Sequence, residues 1–434
     1  MNLALCFIVT FLVGSRAPAA ATPSVSPAPS PVATSTSTQL PTSSPSPTPS
    51  PSPSPIVPPK DAPAVRATTP PFSAPLIHTG PRPPDSMWFG DNASIAVPMT
   101  LHGGRPYIDV IVNGHPATLL VDSSAVTTLI DADALEGQSQ SAVLSLQIAD
   151  LRFPRLSVQA AKVRSYTETN LGVAADGIIG ADLLGRYPVN FDFPNRMLTI
   201  YRDSHSAAAA QPQSATAAAM RVIDGRPAVE ASLDGDRGLW FSLATGVADD
   251  VQLEPAVDHA SRLARQPSLP YDAMTANGGE SGRLVRARAL ALGGVTFFQP
   301  LVAIVNAQRP ASELAGSLGA NMLSKLNLFI DETSSNLEFI APLGATSPAL
   351  YDPSGIALVV RHGAIVIRDT IPGSPADAAD LRPGDEIISL NGLAPATLDF
   401  TRELLNGSPG SKVVVVYRRW RITRSATLTL RVLL

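Results

Sequence analysis

Gly104-Arg105-Pro106-Tyr107-Ile108-Asp109, then Asn113-Gly114, then the run Ala117-Thr118-Leu119-Leu120-Val121 ending in Asp122-Ser123-Ser124, recurs about 120 residues later in the same order and register. The second copy reads Gly225-Arg226-Pro227-Ala228-Val229-Glu230, then Asp234-Gly235, then Leu239-Trp240-Phe241-Ser242-Leu243 ending in Ala244-Thr245-Gly246. Each copy reads as a strand, a two-residue turn and a second strand, because Asn-Gly and Asp-Gly supply the positive φ that a type I′ hairpin demands. The ends of the two units also match: Gly177-Ile178-Ile179-Gly180-Ala181-Asp182-Leu183-Leu184 echoes Gly316-Ser317-Leu318-Gly319-Ala320-Asn321-Met322-Leu323. Residues 190–195 with 198–200, and 327–331 with 337–340, close the two units as terminal hairpins. Between these landmarks, alternation such as Leu144-Ser145-Leu146-Gln147-Ile148 predicts half-buried strands and little helix. The duplication therefore predicts two homologous, mainly β lobes, at 93–204 and 217–342.

The 434-residue chain has room for further units beyond the two lobes. An apolar content of 44% is enough for several cores. The 42 prolines are concentrated before residue 86, which marks that region as non-globular. Lys plus Arg of 32 against Asp plus Glu of 36 gives a net charge of -4, without the basic excess that a phosphate backbone requires, so nucleic acid is not an expected partner. The single cysteine, Cys6, excludes a disulfide within the chain and a Cys-based zinc site.

Leu3 to Val13 form an apolar run too short to span a bilayer but of the size of a signal-peptide core, with Ala17, Ala19 and Ala21 as small residues for cleavage. The expectation is a signal peptide at 1–21 and an exported protein, periplasmic, cell-envelope or secreted, with no transmembrane span after cleavage. An uncleaved interfacial anchor is the alternative. Residues 22–85 are Pro/Ser/Thr-rich and cannot bury apolar area, so they are expected to form an extended linker. At about 3.1 Å per residue it would reach on the order of 150 to 200 Å.

The duplicated unit resembles the retropepsin-like and pepsin-like aspartic protease family over about residues 93–342. In that family each lobe has an Asn-Gly hairpin, an apolar strand ending in Asp-Thr/Ser-Gly, and later an apolar-apolar-Gly segment leading to a short helix. Here Asp122-Ser123-Ser124 and Ala244-Thr245-Gly246 stand at the two catalytic-turn positions, and Ile178-Ile179-Gly180 and Ser317-Leu318-Gly319 at the later ones. The resemblance implies Asp122 as the candidate catalytic carboxylate, with Ser123, Ser124, Thr245 and Gly246 around it.

Hydrolysis of this kind needs two carboxylates sharing a proton around one water, one acting as base while the other polarises the carbonyl. Ala244 has no titratable group, so the pair is incomplete. Ser124 also replaces the motif glycine, where a Cβ is expected to obstruct the turn. Asp249 and Asp250 are the nearest acids that could substitute. Otherwise Asp122 is a carboxylate satisfied by its own turn, through backbone N–H groups and Ser123 or Ser124. The six histidines are scattered, with no His-Glu-x-x-His and with His115 on a hairpin strand, so neither a metal nor another cofactor is expected. Gly278-Gly279-Glu280-Ser281-Gly282 reads as a mobile, flap-like loop.

From about residue 351 to 434 the chain resembles a PDZ domain of bacterial envelope proteases. The residues that carry the resemblance are Ile371-Pro372-Gly373-Ser374-Pro375-Ala376, Leu381-Arg382-Pro383-Gly384-Asp385-Glu386-Ile387-Ile388-Ser389-Leu390-Asn391-Gly392, and Gly407-Ser408-Pro409-Gly410-Ser411 before two closing strands. Asp380 stands where the family commonly has Gly, and Asp tolerates a left-handed backbone better than most residues. The resemblance implies capture of an extended peptide or protein C-terminus by strand addition. The implied terminal-carboxylate loop is Ser354-Gly355-Ile356-Ala357, with Leu358, Val360, Leu404 and Leu405 lining the groove. A groove without a free ligand, or one occupied by the chain's own segments, is the alternative. Arg418, Arg419, Arg421 and Arg424 around Trp420 read as a solvated hairpin tip or, failing that, an anionic-surface contact.

The expected fold is thus two homologous aspartic-protease-like β lobes followed by a PDZ-like β/α domain. The expected function is binding of extended peptides or C-termini without cleavage. An active aspartic endopeptidase with a second acid elsewhere, or a scaffold docking one dedicated partner, would be the other outcomes.

Overall fold

The computed structural model describes residues 86–88, 90–135, 141–212, 214–254, 258–275, 278–306, 312–348 and 351–434, and the expected signal peptide and linker lie outside them. In the first lobe, β1 (Arg105–Val112) and β2 (His115–Val121) form the expected hairpin, with Tyr107 opposite Leu120 and Val112 opposite His115. Asn113 and Gly114 hold φ of 48° and 83°, the left-handed pair that the Asn-Gly sequence was read to supply. Burial rises along β2, from exposed His115 to fully buried Val121, so the strand carries the following turn into the interior. Helix α1 (Val163–Leu171) precedes β3 (Gly177–Ile179), which runs parallel to β2 with Val121 opposite Ile179. This pairing holds the Asp122 turn beside Gly180.

The second lobe repeats the plan. β4 (Arg226–Leu233) and β5 (Asp236–Ala244) pair across the Asp234-Gly235 turn. An antiparallel pair, β6 (Ser268–Thr275) and β7 (Gly278–Arg286), precedes β8 (Leu314–Gly319), which lies parallel to β5 with Ala244 opposite Gly319. The glycine-rich segment expected as a loop is therefore strand, a correction with a packing cause. Tyr271 pairs with Gly282, and a Cβ at Gly282 would stand 2.1 Å from the Ile304 carbonyl oxygen. Gly282 thus admits a neighbouring strand.

The two terminal hairpins join the lobes. Six strands run in the order Ser94–Pro98, Met197–Tyr201, Val189–Asp192, Asn327–Asp331, Asn336–Ile340 and the start of Thr216–Ile223. At the centre Val189 faces Ile330 and Asp192 faces Asn327. Phe191, Leu198, Leu328 and Phe339 enter one buried cluster shared by both lobes.

The C-terminal module is a five-stranded sheet in chain order, from edge strand β9 (Ile356–Arg361) through Ala364–Thr370, Glu386–Leu390 and Lys412–Arg419 to Ile422–Thr429. Helix α2 (Leu398–Leu405) packs Leu398 and Leu405 into its core with Leu358, Ile367 and Val415. Ser374 caps the short helix Pro375–Ala378 by accepting from Asp377 N–H, and Asp380 holds φ of 55°. One expectation at the hairpin tip needs correction. Arg419 is not solvated but buried, donating to both oxygens of Asp385 (2.7 and 2.8 Å) and to Asp380, because two carboxylates compensate its desolvation. Trp420 is 87% exposed.

Gly316→Ala should destabilise the chain by about 3 kcal/mol, because its Cβ would lie 1.8 Å from the Gln252 carbonyl oxygen, within a buried sheet. Urea unfolding of the variant and the parent checks this. An unchanged midpoint would contradict the strand packing described.

Candidate functional site

The turns after β2 and β5 meet back to back and exchange equivalent hydrogen bonds. Ser123 Oγ donates to the Leu243 carbonyl at 2.6 Å, and Thr245 Oγ1 donates to the Val121 carbonyl at 2.8 Å. Ser123 N–H donates to Thr245 Oγ1 at 3.0 Å, and Thr245 N–H reaches Ser123 Oγ at 3.4 Å. Both hydroxyls are buried, so each bond forms where an unpaired partner would be costly. Arg226 Nε adds a third crossing, donating to the Ser124 carbonyl at 2.9 Å. Sequence reading quoted Arg226 within the repeat but assigned it no role.

Asp122 lies at the centre of this arrangement with 1% exposure. Its Oδ1 accepts from Ser124 N–H (2.9 Å), Ser124 Oγ (2.8 Å) and, across the lobe boundary, Gly246 N–H (3.2 Å). Ser123 is committed to the second lobe instead, so the carboxylate is satisfied by both turns rather than by its own. Gly246 is required there: a Cβ would fall 2.5 Å from Asp122 Cγ. At Ser124 the expected obstruction does not arise. The backbone there is not left-handed, so a Cβ is admitted and the hydroxyl folds onto Asp122. Burial pushes the Asp122 pKa up, opposed by the Ser124 and Gly246 hydrogen bonds and by the Arg226 charge.

The opposite position is dry. Ala244 is fully buried in a cluster with Val247, Tyr271, Ala273, Leu284 and Leu301. The two acids considered as substitutes are engaged within their own lobe: Asp249 Oδ2 accepts from the Tyr271 hydroxyl at 2.8 Å, and Asp250 Oδ2 from Leu301 N–H at 3.0 Å. The site can bind through one buried carboxylic group. Activating a water and polarising a carbonyl together takes two acids, and the residue matching Asp122 in the second copy of the repeat is Ala244.

The terminal-carboxylate loop of the C-terminal module already holds a carboxylate. Asp352 Oδ1 accepts from Ser354 N–H (2.9 Å) and Gly355 N–H (3.3 Å), and Oδ2 from Ile356 N–H (3.1 Å). Ser354 Oγ also donates to Oδ1, at 2.6 Å. Burial pushes the Asp352 pKa up, against the pull of these four bonds. Sequence reading passed over Asp352, although an aspartate two residues before a serine repeats the relation of Asp122 to Ser124. Of the expected groove residues, Ile356, Leu358 and Leu405 are buried in the module's core, whereas Ala357, Val360 and Leu404 are half-buried.

Alongside β9 lies α1 of the first lobe. Its capping Gly172 would place a Cβ 2.8 Å from Leu398 Cβ on α2, and Arg402 of α2 donates to the Asn170 carbonyl at 3.2 Å. Asp399, also on α2, accepts from Gly103 N–H at 3.2 Å and faces His102 Nδ1 at 3.3 Å. On the second lobe, Tyr351 packs against the Ala244 cluster and Arg368 donates to the Asp272 carbonyl at 3.3 Å.

Duplicated hairpins, crossed turns and a shared six-strand sheet define an aspartic-protease-like pair of lobes, and the C-terminal module is a PDZ domain: residues 366–419 match the PDZ domain family. The chain is similar to an aspartic proteinase from Irpex lacteus, 13% identical, over 58% of this chain and 99% of that one, with a TM-score of 0.39. A retropepsin-like aspartic protease from Rickettsia conorii is 18% identical over 26% of this chain and 94% of its own, with a TM-score of 0.20. A photosystem II D1 C-terminal processing protease is 29% identical over 19% of this chain, which spans only 23% of that protease, with a TM-score of 0.18. Among curated proteins, none matches the sequence.

Thr245→Val should cost about 2 to 3 kcal/mol, because the Ser123 N–H loses its acceptor and the Val121 carbonyl its donor. A urea midpoint equal to the parent's would show that the crossed turns do not hold the lobes. Asp122 also imposes a pH dependence. Its pKa is raised in the folded state, so its contribution is fully present below the unfolded carboxylate value of about 4 and is lost as pH rises through the folded value. The stability of Asp122→Asn relative to the parent should therefore increase between pH 3.5 and pH 7. A constant difference in urea midpoints would refute the buried, raised carboxylate.

Proposed function

We propose that this protein binds extended peptide segments or protein C-termini without cleaving them, as a catalytically degenerate relative of aspartic proteases joined to a PDZ domain. The observation that carries the reading is Ala244: the position matching Asp122 in the second copy of the repeat is a fully buried methyl in an apolar cluster. A buried methyl there supports a reading without the paired acids that the reaction needs. The cleft between lobes 93–204 and 217–342 would receive a strand-like segment, and the PDZ domain at 351–434 a terminal carboxylate. An exported location, periplasmic or at the cell envelope, is part of this reading and rests on the apolar run before the linker.

Incubating the chain with a mixed peptide library between pH 3 and pH 8, beside Asp122→Asn, tests the proposal. The expected result is no cleavage by either protein, with peptides retained by both. Cleavage by the parent that vanishes in Asp122→Asn would establish an endopeptidase with a second acid instead.

A further inference from the structure

We infer that the PDZ groove of this chain is an occupied site: the Asp352 carboxylate stands in for a peptide's terminal carboxylate, α1 of the first lobe covers the free edge of β9, and an external C-terminus enters only by displacing both. The inference rests on the peptide-binding reading and specifies how that site is controlled. Strand addition needs two things, a set of backbone N–H donors for the carboxylate and an unpaired strand edge. Here the donors of Ser354, Gly355 and Ile356 already point at Asp352, within 2.9 to 3.3 Å. A peptide carboxylate arriving beside it would meet spent donors.

The strand edge is equally committed. β9 pairs on one side only, with Ala364–Thr370, and α1 lies against it. α1 also touches the other wall of the groove, through the Arg402 bond to the Asn170 carbonyl and the close approach of Gly172 to Leu398. Asp399, held by Gly103 N–H and His102, pins α2 to the first lobe and keeps the groove closed.

Closure of the groove is tied to the interlobe site. Val163 and Leu171 of α1 pack in a small cluster with Leu120, Ala125 and Ile178, the residues that flank the Asp122 turn. On the other side Tyr351, next to Asp352, rests on the cluster that contains Ala244. A C-terminus that displaces Asp352 and α1 therefore loosens the cover on both halves of the cleft, and the two peptide sites open together.

The test uses the full chain and fluorescein-labelled octapeptides, pooled with apolar C-terminal residues, as free carboxylates and as C-terminal amides. Gly172→Asn is the opening variant: asparagine accepts the left-handed φ of 73°, while its Cβ collides with Leu398. Asp352→Asn removes the internal carboxyl group while keeping its shape. Both variants should bind the free-carboxylate pool at least tenfold more tightly than the parent by fluorescence anisotropy, with little gain for the amides. In the parent, saturating peptide should raise backbone hydrogen exchange in α1. Parent affinity equal to that of Gly172→Asn, or bound peptide with α1 exchange unchanged, would overturn internal occupancy while leaving peptide binding intact. Absence of carboxylate-specific binding by all three proteins would overturn the peptide-binding reading itself, and this inference with it.

Discussion

The reciprocal pair of hydroxyl bonds between Ser123 and Leu243, and between Thr245 and Val121, is the interaction on which the rest of the lobes depends. It uses the residue after each acid position, not the acid. A two-fold scaffold can therefore lose one carboxylate and keep its geometry, because the chemical group and the structural group are separate side chains. The same separation explains why Asp122 persists: three donors converge on its Oδ1, and a residue unable to accept them would leave buried N–H groups unpaired.

An alanine at 244 and an aspartate at 122 give the two matching turns different interiors. Two facing carboxylates repel and must be kept hydrated or share a proton. The Ala244 methyl packs in one cluster with Val247, Leu284 and Leu301, and Tyr271 of the same cluster donates its hydroxyl to Asp249. The second lobe has an apolar core at the place where the first keeps the buried Asp122 carboxyl.

Most of the fold was legible because its decisive signals are local. Asn113-Gly114 and Asp234-Gly235 announce their turns by backbone sterics alone, and the repeat places both hairpins in register. Signals failed where a distant contact sets the meaning of a residue. Gly278-Gly279-Glu280-Ser281-Gly282 has a loop's composition, but its glycine at 282 answers to the Ile304 carbonyl. Ser124 was read against a family glycine, although its backbone does not need one. Arg419 was grouped with its exposed neighbours because nothing nearby in sequence shows that Asp380 and Asp385 would fold around it. At the site, Asp122 and its missing counterpart could be read directly. The covering of β9 by α1 could not, since it joins residues that share no motif and lie nearly 200 positions apart.

The six-strand sheet between the lobes bears on how the chain is made. Strand Val189–Asp192 pairs across the boundary with Asn327–Asp331, so the first lobe has no closed edge of its own on that side. During synthesis this edge emerges with its N–H and C=O groups unpaired, and its proper partner follows more than a hundred residues later. Until then it is a template for any other extended segment.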